Sequence, residues 1–195
     1  MTNEQALEVF RNAGALLDGH FRLSSGLHSG EYLEKFRLVE EPAVLDPLCV
    51  CLAEKARCLG AQVVMGPTTA GIILAYNVAR ELRLPARYAE RDGEGRALRR
   101  GQVLAPGTRV LVVDDILTTG KAVRECIDVA AAHGAVVVGV GVLGDRSGGA
   151  VDPGCPLVAV LTVAARAWDP AECPLCAAEA PITQPGTRQF SSAGG

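Results

Sequence analysis

The chain has 195 residues, 49% of them hydrophobic and 21% charged, the balance of an ordinary globular domain long enough to bury a substantial core. A net charge of −3 argues against a nucleic-acid partner, and the absence of an apolar run of about eighteen residues argues against a membrane span. The polar, acidic N-terminus lacks a signal-peptide pattern, so the cytoplasm is the expected location.

Taken in chain order, residues 2–17 read as an amphipathic helix. Thr2 and Gln5 have capping-box spacing, and Leu7, Phe10, Ala13, Leu16 and Leu17 recur at helical intervals. Residues 20–38 read as two short strands around the turn Ser24-Ser25-Gly26. Glu40-Glu41-Pro42 opens a second helix that Gly60 ends. Strands and helices then alternate. Strands are expected at 63–65, 86–89, 110–113, 136–143 and 157–163, and helices at 70–82 and 121–132. A charged, glycine-containing loop fills 90–102. This alternation predicts an α/β domain with a mostly parallel five-stranded sheet flanked by helices. Residues 1–40 would form a small N-terminal hood over the strand ends, 41–163 the core, and 164–195 a loosely structured tail ending Ser-Ser-Ala-Gly-Gly.

Residues 110–122 carry the clearest chemistry. The apolar run Val110-Leu111-Val112-Val113 suits a strand buried on both faces, and it is expected to stop at the adjacent carboxylates Asp114 and Asp115. Thr118-Thr119-Gly120 then forms a small hydroxyl-rich turn before a helix. Ligands of parallel sheets bind beyond the carboxyl ends of the strands, and helix N-termini offer N–H groups to anions. Acceptor-only carboxylates suit sugar hydroxyls or a hydrated cation. A phosphate grip beside a diol grip is the shape of a ribose 5-phosphate site.

Asp114-Asp115-Ile116-Leu117-Thr118-Thr119-Gly120-Lys121-Ala122, with the apolar run before it, resembles the phosphoribosyl-pyrophosphate (PRPP) loop of the type I phosphoribosyltransferases. Three further landmarks resemble the orotate phosphoribosyltransferases within that family. They are residues 19–29 with Tyr32, the turn Gly66-Pro67-Thr68-Thr69-Ala70-Gly71, and Asp145-Arg146. The resemblance spans roughly residues 19 to 146. It implies a type I phosphoribosyltransferase-like fold and transfer of ribose 5-phosphate from PRPP to orotate in pyrimidine (UMP) biosynthesis. Asp114 and Asp115 would hold the ribose hydroxyls. Ile116 and Leu117 would belong to the PRPP-binding loop, and Thr118, Thr119, Gly120, Lys121 and Ala122 would wrap the 5′-phosphate. Thr118 and Arg146 would meet orotate, with the guanidinium fork matching its carboxylate or ring oxygens. Mg²⁺ would be the cofactor, held mainly by PRPP rather than by a protein metal site.

The resemblance also implies a mobile catalytic loop at 90–101, with Arg91 as the position carried over, and a homodimer whose partner supplies that loop. The better known bacterial branch of the family has lysines where this chain has Ser24 and Ala70; another branch looks similar to this chain in both places. Two other functions stay open. One is a purine phosphoribosyltransferase, although a purine offers no carboxylate to Arg146. The other is a PRPP-sensing regulator that binds nucleic acid, which the net charge disfavours.

Arginine (16) outnumbers lysine (3), so arginines must supply most of the cationic chemistry. Cys49, Cys51, Cys58 and Cys126 fall in helical patterns and read as small buried hydrophobes. Cys173-Pro174-Leu175-Cys176 is half a zinc site or a pair of free thiols with a local structural role. No second C-x-x-C or C-x-x-H exists, which leaves Cys155 or a symmetry mate to complete four ligands. His20 and His28 flank the Ser-Ser-Gly turn and are expected to be structural.

Overall fold

The structure, a computed structural model, describes residues 1–23, 25–163 and 166–184; Ser24 and the Ser-Ser-Ala-Gly-Gly end lie outside the described residues. Helix α1 spans Asn3–Asn12 and carries the expected capping box, with the Gln5 amide donating to Thr2 Oγ1 and the Thr2 amide to Gln5 Oε1. It ends five residues earlier than the apolar spacing suggests. Gly14 turns the chain at φ +67°, and Leu16 and Leu17 open strand β1 (Leu16–Arg22) instead. Strand β2 (His28–Leu33) pairs antiparallel with β1, and a helical turn, α2 (Phe36–Val39), replaces the end of the expected second strand.

Helix α3 (Pro42–Ala56) runs into a 3₁₀ turn, Arg57–Leu59, and Gly60 ends it in the left-handed region. Strand β3 (Val63–Pro67) leads to α4 (Ala70–Leu82), β4 (Ala86–Asp92) and β5 (Gly95–Ala97). Strand β6 (Arg109–Leu117), α5 (Lys121–Ala132), β7 (Val136–Asp145) and β8 (Leu157–Thr162) complete the core. The large sheet has the order β5-β4-β3-β6-β7-β8. Its five parallel strands are those expected; β5 adds an antiparallel edge by folding back on β4.

Side chains of β6 alternate between two apolar layers, as a strand covered on both faces must. Leu111 and Val113 pack with Leu48, Leu52, Leu74 and Val78 of α3 and α4. Val110 and Val112 pack with Val123, Cys126 and Val129 of α5. Helix α1 joins the first layer through Ala6 and Phe10. Full burial of each such Val, Leu or Phe is worth roughly 1.5–3 kcal/mol, so these layers hold the strand ends rigid.

The segment after β8 is more ordered than its composition suggests. It contains β9 (Ala167–Trp168), a 3₁₀ turn at Pro170–Glu172 and the short helix α6 (Pro174–Ala177). Strand β9 pairs with β2, giving a three-stranded hood sheet, β1-β2-β9. Among the described residues no helix is long and apolar enough to cross a membrane.

Candidate active site

Strand β6 does not stop at its acidic pair. It continues to Leu117, and the pair sits inside the strand end with the two side chains on opposite faces. Asp115 faces the hood, where Lys35 Nζ lies 3.0 Å from its Oδ2. Asp114 lies toward α5 and feels the charge of Arg96. Both carboxylates are buried and both accept local amides: Asp115 N–H donates to Asp114 Oδ1 at 2.9 Å, and Ile116 N–H to Asp115 Oδ1 at 2.6 Å. Burial, and then the neighbouring Asp115 charge, push the Asp114 carboxyl up to about 7.

Beyond the strand, Thr118 and Thr119 are exposed, and Gly120 takes φ +74° as the N-cap of α5. A side chain at Gly120 would meet Val151 Cγ1 at 2.6 Å, so glycine is required there on two counts. The first helical hydrogen bond is donated by Arg124 N–H to Gly120 O. The amides of Lys121, Ala122 and Val123 are therefore left for an anion at the helix start. The Lys121 amine instead lies on the helix flank, 3.9 Å from Glu125 Oε1.

The end of β7 stands beside this turn. Asp145 is in register with Leu117, and Arg146 N–H donates to Leu117 O at 2.9 Å. Asp145 Oδ1 accepts the Ser147 amide at 2.8 Å. Among the described residues the Arg146 guanidinium makes no ion pair, although burial lowers it from the usual arginine range against the opposing pull of Glu31 and Tyr32. Those two residues lie on β2, so hood and core meet around Arg146. Burial and the Glu34 charge push the Tyr32 phenol up.

The turn after β3 is tightly interlocked. A side chain on Gly66 would meet Gly71 O at 2.2 Å, and one on Gly71 would meet Pro67 Cδ at 2.6 Å. Ala70 opens α4, as expected. The segment expected as a mobile loop, 90–101, begins as the β4–β5 hairpin, with Arg91 opposite Arg96. Its four arginines are paired within the chain: Arg91 and Arg96 with Glu125, Arg99 with Asp92, and Arg100 with Glu90. The Arg91 side chain is 57% exposed and that of Arg96 only 4%. Arg96 also donates to Thr68 Oγ1 and Ala89 O, so it braces the β3 turn against α5.

The structure thus brings Asp114, Asp115, Ile116, Leu117, Thr118, Thr119, Gly120, Lys121, Ala122 and Arg146 to one sheet edge, with Arg91 on the hairpin flanking α5. Arg96 belongs to the arginine-rich segment 90–101 that the sequence singles out, whereas sequence reasoning missed Lys35 and Glu125 as members of this neighbourhood. Lys35 lies 80 residues from its partner. The cysteines divide. Burial pushes the Cys49 and Cys126 thiols up to about 12, as inert core groups, and Cys51 is buried. Cys58 differs from its expected burial: it is exposed on the 3₁₀ turn after α3.

A parallel sheet with an anion-binding helix start and buried carboxylates at the end of its central strand defines a sugar-phosphate-binding α/β domain. The phosphoribosyl transferase domain model matches residues 60–172. The chain is 42% identical over 191 residues to the orotate phosphoribosyltransferase of Desulforamulus reducens, spanning 98% of this chain and 100% of that one. It is 45% identical over 184 residues to that of Carboxydothermus hydrogenoformans, spanning 93% and 96%. The crystal structure of orotate phosphoribosyltransferase from Aeropyrum pernix superimposes with a TM-score of 0.67 at 30% identity, covering 80% of this chain and 92% of that one. The chain belongs to the orotate branch of the type I phosphoribosyltransferase family.

Proposed function

We propose that this chain is an orotate phosphoribosyltransferase, moving ribose 5-phosphate from PRPP to N1 of orotate. The products are orotidine 5′-monophosphate and pyrophosphate, the step that commits orotate to UMP. The observation that carries the reading is Arg146. It is a half-buried guanidinium without an ion pair among the described residues, one residue beyond the strand position that pairs with Leu117 of the PRPP loop. A planar fork in that position suits a carboxylate-bearing planar ring.

In this reading Asp114 and Asp115 accept hydrogen bonds from the ribose 2′ and 3′ hydroxyls. The amides and hydroxyls of residues 118–122 hold the 5′-phosphate. Thr118 and Arg146 orient orotate, and Arg91 meets the departing pyrophosphate. The sugar carbon gains positive charge as pyrophosphate leaves, so holding both reactants in line and stabilising the leaving group are the protein's main tasks.

Asp115 is already engaged by Lys35. Two buried carboxylates with so little free coordination suit a hydrated Mg²⁺ brought in on PRPP, not a resident ion. Such an ion offsets charge on the pyrophosphate oxygens. A homodimer with a shared site completes the reading. It is supported by the exposure of Ile73 and Tyr76 on α4, one helical turn apart.

The test is consumption of orotate, followed by absorbance, with PRPP and Mg²⁺, against adenine, guanine, hypoxanthine and uracil. Orotate alone is expected to turn over, and Arg146→Lys is expected to raise the KM for orotate far more than that for PRPP. Equal or better turnover of a purine overturns the assignment.

A further inference from the structure

We propose that His20, His28, Cys173 and Cys176 form a closed tetrahedral zinc site that pins the C-terminal segment to the hood. One ligand atom from each residue lies within 4.8 Å of all the others. The separations are 3.0 Å from His20 Nε2 to His28 Nδ1, 3.6 Å and 3.7 Å from His20 Nε2 to the sulfurs of Cys173 and Cys176, and 3.2 Å from His28 Nδ1 to Cys176 Sγ. A tetrahedron with Zn–N near 2.0–2.1 Å and Zn–S near 2.3 Å has edges of about 3.4 Å between nitrogens and about 3.6 Å between nitrogen and sulfur. These four edges fall within a few tenths of an ångström of those values, and the two that involve Cys173 with His28 and with Cys176 lie within 4.8 Å.

Hydrogen bonding fixes the orientation needed of a ligand. His20 Nδ1 lies 2.9 Å from Ala180 O, so its proton sits there and Nε2 presents a lone pair to the cluster. Three groups converge on that single lone pair. Cys176 Sγ also approaches His28 Nδ1, so two imidazole nitrogens and two sulfurs crowd one point, and a cation at the centre engages all four atoms at once. His20, His28 and Cys173 are buried and Cys176 stands at the mouth. Four protein ligands leave no open position, which marks a structural rather than a catalytic centre.

The chain around the cluster shows what the ion would hold. Beta pairing between β2 and β9 amounts to two residue pairs, His28 with Trp168 and Ser29 with Ala167. Beyond the C-x-x-C, Thr183 N–H donates to His20 O, and Arg22 N–H to Thr183 O. The segment 167–183 therefore wraps the hood with few hydrogen bonds and little apolar burial, and its two cysteines sit at its midpoint against the two hood histidines. A metal there closes a loop from residue 28 to residue 173, where covalent-strength restraint removes much chain entropy. Cys155 takes no part; it packs against the layer of Val140 and Val142.

The experiment is metal analysis of the full chain purified under reducing conditions with added zinc. Close to one zinc per chain is expected for wild type and Cys155→Ser, and a loss to near zero for Cys173→Ser/Cys176→Ser. Because that variant can lose its fold, wild type is also stripped with a chelator and refilled with Co²⁺. Tetrahedral ligand-field bands with thiolate charge transfer are expected. Trp168, the chain's single tryptophan, should change its fluorescence on stripping and recover on adding zinc. Uptake of no metal by the reduced chain, an octahedral cobalt spectrum, zinc retained by the double variant, or a Cys173–Cys176 disulfide in the freshly isolated protein would each overturn the proposal.

Discussion

Lys35 Nζ lies 3.0 Å from Asp115 Oδ2, and this ion pair ties the end of the hood to the end of β6. The lysine side chain is 44% exposed and the carboxylate 4%, so the pair is one buried anion served by a wet cation. Lys35 also helps to keep Asp114 ionisable, opposing the burial and the Asp115 charge that raise it. Replacing Lys35 with Met removes that help and keeps the aliphatic stem. Stability is expected to fall by about 1 kcal/mol, the range of a solvent-screened pair. The acidic limb of the kcat/KM profile for PRPP is expected to move to higher pH, because the Asp114 carboxyl becomes harder to ionise without the lysine charge. A profile that does not move would make the pair incidental to the site.

Asp114 gives a second pH signature, this time in stability. Its folded pKa of about 7 lies above the ordinary carboxyl value of 3.8. Between those limits the folded chain keeps a proton that the unfolded chain has lost, so stability declines as pH rises from about 4 to about 7 and is flat above. Asp114→Asn removes that decline. At pH 8 the variant is expected to be more stable than wild type, by an amount on the order of a few kcal/mol at most, and the gap should close toward pH 4. Its activity should fall at least about 100-fold. Urea melts of both proteins across this range give the comparison; a variant less stable at pH 8 would contradict the buried, strained ionisation.

The hairpin arginines can be separated by burial. Arg96 is enclosed, pairs with Glu125 at 2.9 Å and donates to Thr68 and Ala89. Glu125→Gln leaves that guanidinium buried without its counter-charge, a change that typically costs roughly 3–5 kcal/mol. Arg91 contacts the same carboxylate at 3.3 Å from an exposed position, so Arg91→Ala should change stability by no more than about 0.5 kcal/mol. Chemical denaturation distinguishes the two. Similar losses would mean that the hairpin is held as one unit.

These residues also show which features a single sequence reveals. The bounds of α4 and α5 coincide with the expected 70–82 and 121–132, because a glycine-containing turn starts each helix and the apolar spacing fades at its end. Helix α1 is shorter than its apolar spacing predicts because Leu16 and Leu17 satisfy both helical spacing and a strand; Gly14 decides between them. Strand β6 outruns Asp114 because its carboxylates accept local amides, and burial need not end at a charge that is so served. Contacts between distant segments leave no local trace. The partners Lys35 and Asp115, and the C-x-x-C with its two hood histidines, meet only through the fold. Two histidines contributed singly by neighbouring strands form no second C-x-x-C-like motif in the sequence.

The remaining prediction concerns the assembly. Arg91 is exposed, its contact with Glu125 is a surface one, and its hairpin turns at Gly93 with φ +59°. An arginine with so weak a hold is free to exchange one anion for another, and a departing pyrophosphate is the stronger partner. Closure over the site would also keep water from the activated sugar. If a partner subunit provides that arginine, two inactive variants should complement each other. One is Asp114→Asn/Asp115→Asn and the other Arg91→Ala. In a mixed dimer acting in trans, one site receives both defects and the other neither, so each mixed dimer should recover up to half the wild-type activity. If the hairpin serves its own chain, every site carries one defect and nothing is regained. Subunit exchange is verified by mass-labelled chains, and sedimentation establishes the dimer. No recovery despite proven exchange, or a monomer in sedimentation, would leave Arg91 as a local group on the flank of α5.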